Sequence, residues 1–570
     1  MLSGPCNGQT FCKNNAKKDG KYLPCLSLGK STKLFGCLAN SGVSWTITHR
    51  GIMKTSSLSL YVTLTVLTTY YHALAQDNVR QNPDFVNFES PHVHPMDLNE
   101  AGTQLAVCNT AAGRVEIFAI DGDSSPIHQS SIFTGLEPVS ARFRTDTELW
   151  VANHVSDSIT VLDVTNESIK RIIETPDEPC DVVFAGEPEK AYITCSQVNK
   201  VIVIDAVAAE ANPNEIEIEG EDPRALTVSS DGRFVFAAVY ESGNGSTILG
   251  GGRTDAPMLN YPPNVVSSEL GPYQGANPAP NKGSRIEPRP LFTQNWNKAS
   301  LIVKRDQQGR WKDDNNGDWT AFVSGESAQE SGRQPGWDLV DNDIAIIDTT
   351  SQKVSYVESL LTACMAMGVN AATGDITVIG TEAHNEIRFQ PILNGRFIEV
   401  RQATFRVEPD GSVKMRSSTD LNPHLDYMEP TVNQEIRDLS IGDPRAITWT
   451  ERGDKAFVAG MGSNNVIVIN GNGERMLGGR TIAVGEGPTG LALNEDANRL
   501  YVLNRFEGSV SVVDAEQNVE LNKVKFLDPT PEFVREGRRH LFNTHKTSGL
   551  GQASCASCHH HSTEARKTPA

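Results

Sequence analysis

Six prolines recur at a near-fixed interval along this chain. Pro95, Pro138, Pro179 and Pro223 are spaced 43, 41 and 44 residues apart, and Pro444 and Pro488 another 44. Each opens the same pattern. "EPVSARFRTDTELWVANHVSDSITVLDV" runs from Glu137, "EPCDVVFAGEPEKAYITCSQVNKVIVIDA" from Glu178, "DPRAITWTERGDKAFVAGMGSNNVIVIN" from Asp443 and "GPTGLALNEDANRLYVLNRFEGSVSVVDA" from Gly487. A weaker copy starts at His94, and "DPRALTVSSDGRFVFAAVY" from Asp222 is the first half of another. In every copy a proline turn precedes an alternating strand, a polar turn, a second strand, another polar turn and a third strand. Period-two alternation broken by Asp, Gly and Asn dictates antiparallel meanders.

Meanders of about four strands repeating every 40–45 residues are the blades of a β-propeller. A parallel β-solenoid, the structural rival, has shorter repeats. Between Pro223 and Pro444 the period lapses. "NDIAIIDTT" at 342–350 reads as the displaced third strand of the unit begun at Pro223, and "CMAMGVNAATGDITVIGTEAHNEIRF" from Cys364 as a fifth unit with a degraded turn. Units then begin near 95, 138, 179, 223, 364, 444 and 488, which predicts a seven-bladed propeller over residues 76–527. The strand text "LWVAN" and "LYVLN" resembles the YVTN family of propeller repeats over roughly residues 90–520. That resemblance implies the fold and no particular chemistry.

An insertion at about 241–341 departs from the pattern. It is rich in Gly, Pro and Asn and carries Tyr261, Tyr273, Trp296, Trp311, Trp319 and Trp337. A long loop on a rigid scaffold often serves function; the bland reading is a decoration without chemistry. Asp314, Asn316 and Asp318 alternate as in the start of a calcium loop, but Trp319 stands where that loop needs glycine, so a solvated turn is expected.

The N-terminus points to export. From Met53 the chain reads "MKTSSLSLYVTLTVLTTYYHALAQDN": Lys54, a moderately apolar core over Leu58 to Tyr70, and Ala73-Leu74-Ala75 ahead of Gln76. This is the layout of a signal peptide at 53–75, too short in its apolar core to span a bilayer after cleavage. Residues 1–52 then read as a spurious upstream extension, and Cys6, Cys12, Cys25 and Cys37 within it match no metal motif. Periplasmic or secreted localisation follows. From residue 76 on there are 43 Lys and Arg against 69 Asp and Glu, a field that repels nucleic-acid phosphates. Cys108, Cys180, Cys195 and Cys364 lie in strand-like text and are expected as buried free thiols rather than disulfides.

Chemistry concentrates in the tail, residues 528–570. Thr530 is a plausible N-cap, Pro531 fits a first helical turn, and Phe533, Val534, Leu541 and Phe542 give a loose apolar face to a helix near 531–542. "SGLGQASCASCHHH" follows, with Cys555, Cys558 and His559 in the pattern C-x-x-C-H. Two thiols three positions apart can both add to haem vinyl groups, and the adjacent His559 then meets the iron as proximal ligand. The alternative is zinc, held by Cys555, Cys558 and one of His559, His560 or His561.

"GRRHLF" followed by "SGLGQASCASCH" resembles the start of the first haem domain of the di-haem cytochrome c peroxidase and MauG-like family. The resemblance implies Gly537, Arg538, Leu541 and Phe542 in the opening helix, Cys555 and Cys558 as covalent anchors and His559 as axial ligand. It also implies a second C-x-x-C-H, which would make the peroxidase. Here 11 residues follow His559, so the haem domain reads as truncated, with one haem c site and the second missing.

The sequence therefore predicts an all-β, seven-bladed propeller followed by a short α-helical fragment of a cytochrome c domain. The function expected is an exported c-type haem protein, transferring electrons or acting in peroxidase-like chemistry with a redox partner protein. The alternative is a non-enzymatic propeller binding module with a vestigial haem motif. A propeller hydrolase such as a lactonase would need a cluster of acids or histidines at the channel, which the repeats do not spell out. Arg224 and Arg445 occupy equivalent places after the proline and read either as charge at the channel mouth or as salt bridges to a neighbouring blade. His92, His94 and His154 read as isolated core or surface residues.

Overall fold

The computed structural model describes residues 85–557, apart from 87, 123–124, 208–212, 250–267, 276–300 and 385–396. The expected upstream extension, the signal peptide, Cys558 and His559 lie outside the described residues.

Five of the six prolines are the first residue of the innermost strand of a sheet, and Pro95 immediately precedes one. The innermost strands are β1 (Met96–Leu98), β2 (Pro138–Phe143), β3 (Pro179–Ala185), β4 (Pro223–Val228), β5 (Ala363–Asn370), β6 (Pro444–Trp449) and β7 (Pro488–Asn494). Each heads a four-stranded antiparallel sheet. Neighbouring innermost strands pack against one another in chain order, and β7 returns to β1, so the sheets close a ring. The architecture is a β-propeller. Closure packs the face of the last sheet on that of the first, two apolar faces that an open stack would leave exposed. Hydrophobic side chains fill the space between successive sheets: Trp150, Val161, Ile193 and Ile202 form one such layer, and Met96, Tyr501 and Leu503 another that seals β1 to the last sheet.

The fourth sheet takes its third strand from Asn342–Asp348, after the insertion. The insertion is itself folded. Ser246–Leu249, Leu301–Arg305 and Trp311–Lys312 make a three-stranded sheet, and α1 (Thr320–Val323) follows. Trp311, Trp319 and Phe322 are its buried core. The Asp-Asn run is a turn organised by Asp313, whose carboxylate accepts from the Tyr273 hydroxyl (2.9 Å) and the Trp319 indole (2.8 Å). Three cysteine-containing strands and one bulge hold Cys108, Cys195, Cys364 and Cys180 as free, buried thiols.

Two local features shape one end of the ring. The residue before the proline is left-handed in five copies, Gly487 (φ 68°) in the last and an acid in the other four: Glu137 (φ 51°), Glu178 (59°), Asp222 (63°) and Asp443 (52°). Such backbone costs about 1–3 kcal/mol per non-glycine residue and persists where surroundings hold it. In six of the seven innermost strands the register then slips at the second or third residue, a β-bulge that re-aims the side chain there. Acid, proline and bulge together set a ring of polar side chains at the mouth of the central channel.

Candidate functional site

The mouth carries four arginines and a matching set of acids. Arg224 Nε donates to Asp222 Oδ1 at 2.8 Å, and Arg445 Nη2 lies 2.8 Å from Asp443 Oδ1. Both partners come from the arginine's own turn. This corrects the expectation of bridges to a neighbouring blade: two residues across an acid-Pro-Arg turn are already within reach. The two guanidiniums share one aromatic ring, with Arg224 Cζ 3.9 Å and Arg445 Cζ 5.9 Å from the centroid of Tyr240. Burial opposes the charge of Arg224, but Asp222 and Tyr240 outweigh it and raise its pKa. Arg505 and Arg538 converge on Glu89, at 3.7 and 2.7 Å.

Beneath them His92 is buried between the Thr489 hydroxyl (2.8 Å from Nδ1) and the Thr110 hydroxyl (2.5 Å from Nε2). Burial, then the charges of Arg505, Arg538 and Arg445, push its pKa well below the ordinary histidine range, so it stays neutral. Beside this, His154 Nδ1 lies 3.7 Å from Cys180 Sγ, and its Nε2 lies 3.6 Å from Glu178. The arrangement looks like a nucleophile and base. Its electrostatics say otherwise: burial pushes the Cys180 thiol up to about 12 and lowers His154. A protonated thiol beside a neutral imidazole is not an activated nucleophile.

On β3, Asp181 joins three sheets and the segment before β1. It is fully buried and accepts from His94 Nδ1 (2.6 Å), Arg142 Nε (3.4 Å), and the backbone N–H of Val182 (2.9 Å) and Leu226 (2.8 Å). Histidines that read as isolated in sequence are thus members of buried networks.

Both ends of the described chain close over this mouth. The N–H groups of Phe88 and Ser90 donate to the two oxygens of Glu137, at 2.8 and 2.9 Å. From the last sheet the chain turns into α3 (Glu532–Leu541) and α4 (Thr544–Thr547). The N-cap of α3 is Pro531, not Thr530, whose carbonyl instead accepts from Arg535 Nε. The apolar face expected on α3 is also corrected. Phe533 (58% exposed) and Leu541 (39%) point to solvent, and the inward residues are Arg538 and Phe542. The helix is aimed by the arginine's ion pair with Glu89 and by Phe542, whose ring sits 4.9 Å from that of Phe506.

The segment leading to the C-x-x-C-H motif is fastened to the propeller. Thr544 N–H donates to Gly462 O at 2.8 Å, and the contact is close enough to require glycine: a Cβ at Gly462 would lie 2.6 Å from Thr544 Cγ2, and one at Gly442 2.5 Å. His545 Nε2 donates to Ser440 O (2.9 Å), and Ser440 Oγ donates to Leu550 O (2.9 Å). The loop after α2 (Gln434–Arg437) and the loop before it hold this segment too, with Val432 N–H donating to Gly549 O at 2.9 Å. The run ends in a 3-10 turn, Cys555–Ser557. Ala556 buries against Met461, Phe506 and Phe542 while the Cys555 side chain is exposed. An exposed thiol on a fixed turn suits covalent attachment of a group arriving from solvent. Of the motif residues, Cys555 is placed; Cys558 and His559 are outside the described residues. Among the described residues no cluster of three or more His, Cys, Asp or Glu side chains could hold a metal ion.

Sequence reasoning missed Glu89, Asp181 and Arg505, and named Arg538 only as part of the tail's opening helix, without its ion pair to Glu89. Arg505 had a signal: it follows the last residue of "LYVLN", the register that His154, Ser196 and Tyr240 hold in other copies, and in all four the N–H donates to the carbonyl of the residue before the proline.

No family model matches the chain. YncE of Escherichia coli (strain K12) is 28% identical over 109 residues, 19% of this chain, and the match spans only 28% of YncE's length. Among solved structures, the hydrazine synthase of Kuenenia stuttgartiensis is 14% identical with a TM-score of 0.48, covering 76% of this chain and 98% of that one. The β-propeller domain of Cps50 (Swd1) from Myceliophteria thermophila is 8% identical with a TM-score of 0.40, covering 77% and 98%. The dihydro-heme d1 dehydrogenase NirN is 10% identical with a TM-score of 0.36, covering 77% and 68%.

Proposed function

We propose that this chain is an exported, c-type haem-bearing electron-transfer protein, in which the seven four-stranded sheets are the blades of a scaffold that docks a redox partner. Cys555 and Cys558 would hold the haem by thioether bonds, and His559 would ligate its iron. When bound, the group supplies one-electron transfer. The observation that carries the reading is the fixed turn at Cys555–Ser557, which presents an exposed thiol from a segment hydrogen-bonded to the propeller over residues 544–550. Met461, Phe506 and Phe542 exclude water from one side of that turn. The Arg538–Glu89 pair fixes the helix that leads to it. In this reading the mature chain starts at Gln76 and works in the periplasm or outside the cell. The peroxidase-like activity that the family resemblance implies belongs to a second haem and is not part of this proposal.

Intact mass and the visible spectrum of protein from a host that exports it and attaches haem c test the proposal. One haem added to a chain starting at Gln76 is expected, and a Cys555→Ser, Cys558→Ser double variant should lose the covalent haem and stay folded. A folded wild type without haem would overturn the reading in favour of a binding module with a vestigial motif.

A further inference from the structure

Away from the channel a cavity of about 630 Å³ opens between the insertion and the fourth and fifth sheets. Its size is that of a small-molecule site. Gly243 and Gly245 form one wall, Lys304, Arg305 and Trp337 another, and Asp341 and Glu382 line the side toward the propeller. The cations here are already matched. Lys304 Nζ lies 3.6 Å from Glu382, Arg305 Nη1 lies 2.6 Å from Asp338, and Asp306 meets Arg310 at 3.0 Å and Lys312 at 3.3 Å.

Asp341 is the exception. It is 6% exposed; Oδ2 accepts from the Ser359 hydroxyl at 3.0 Å, and Oδ1 is buried without a hydrogen-bond partner. Both carboxylate oxygens face the glycine wall. A Cβ on Gly243 would lie 3.8 Å from Oδ1 and one on Gly245 3.8 Å from Oδ2, and both glycines hold left-handed backbone (φ 88° and 62°) that other residues rarely adopt. Behind it Asp343 is fully buried. Burial pushes its carboxyl up to about 7 against the N–H groups of Leu360 and Leu361, and the negative charge of Asp341 adds to the rise. A buried carboxylate oxygen with no partner is destabilising unless a positive donor reaches it.

We propose that this cavity binds a small organic cation, a protonated amine or guanidinium of metabolite size, whose charged head meets Asp341. A neutral polyol satisfies the hydrogen bond and leaves the charge uncompensated. An anion would face a surplus of acids. The inference is independent of the haem reading, since no cavity residue belongs to the tail.

Calorimetric titration of the full chain with spermidine and with agmatine tests it, with cellobiose and calcium chloride as the neutral and metal probes. Saturable binding of at least one amine is expected. Asp341→Asn should weaken it on the order of 10- to 100-fold, the worth of one charge-assisted hydrogen bond. Glu382→Gln, which frees Lys304 to repel a cation, should weaken it as well and guards against a folding defect in the first variant. Asp410→Asn, on a hairpin away from the cavity, should leave it unchanged. Binding of cellobiose or calcium alone, no binding at all, or amine binding untouched by Asp341→Asn and Glu382→Gln would overturn the proposal.

Discussion

Asp181 should be the most expensive single carboxylate in the molecule to remove. It sits on β3 with no solvent exposure, and its four donors come from the segment before β1, from β2, from its own strand and from β4. Asp181→Ala leaves the Arg142 guanidinium, the His94 imidazole and the Leu226 N–H without their acceptor at once. Breaking a buried pair in this way costs about 3–5 kcal/mol, and the lower end applies because the Arg142 side chain retains 23% exposure. Asp181→Asn keeps one acceptor and the volume but loses the charge, so about 1–3 kcal/mol is expected. The pH dependence gives a second readout. Burial raises the Asp181 pKa, but His94 and Arg142 outweigh it, and the folded value lies below the ordinary one. Its contribution is therefore complete above the unfolded pKa and is lost as pH falls through the lower folded pKa. The Asn variant should show a flatter acid limb. Urea denaturation followed by tryptophan fluorescence, at pH 7 and down to pH 3, measures both. An Ala variant within about 1 kcal/mol of wild type at pH 7, with an unchanged acid limb, would refute the reasoning: water would then be replacing the carboxylate in a wet channel.

Two further perturbations separate the tail from the fourth and fifth sheets. Phe542→Ala removes the ring that packs on Phe506 and Met461 and should cost about 3–5 kcal/mol of local packing; faster hydrogen exchange over 532–550 with the sheets unaffected is expected. Asp343 carries a pKa raised to about 7, so the folded state holds a proton that the unfolded state releases near 3.8. Stability should fall as pH rises between those values, by about 4 kcal/mol in total. Asp341, Cys364 and the Ser242 hydroxyl surround it, and an Asp343→Asn variant should flatten the slope in urea midpoints between pH 5 and 8.

The repeat was legible because a blade is a local object. Proline, alternation and polar turns lie within about 40 residues of one another, and each repeat proline begins or immediately precedes an innermost strand. Even the fourth sheet could be read, since "NDIAIID" keeps its strand pattern across the insertion. What lay hidden is long-range. Glu89 and Arg538 are 449 positions apart, His92 and Thr489 are 397 apart, and no local pattern announces either pairing. The α3 error has the same origin. Periodicity assigns the apolar residues inward, but this helix lies across a polar mouth, so the arginine turns in and Phe533 turns out. The spacing of Cys555, Cys558 and His559 is local, so it can be read without the fold; of the three, the structure places Cys555, on the turn Cys555–Ser557.

One end of the ring gathers everything that departs from the repeat. The connection into each innermost strand and the loop between second and third strands emerge on the same side of an antiparallel sheet. The segment before β1, the insertion and the tail after the last sheet all use those exits. A channel mouth so placed is the obvious ligand site of a propeller, yet here its charges are mutually engaged. Arg224 and Arg445 are held by the acids of their own turns, Arg505 and Arg538 by Glu89, and Glu137 by the backbone of residues 88 and 90. The acids and histidines a hydrolase would need are present, but they are buried and neutral or ion-paired, with His92 and Cys180 both held uncharged. The mouth is a plug that ties the segment before β1 to the tail after the last sheet. Outside the mouth, the tail leaves the Cys555 thiol exposed, and a cavity lined by Asp341 opens beside the insertion.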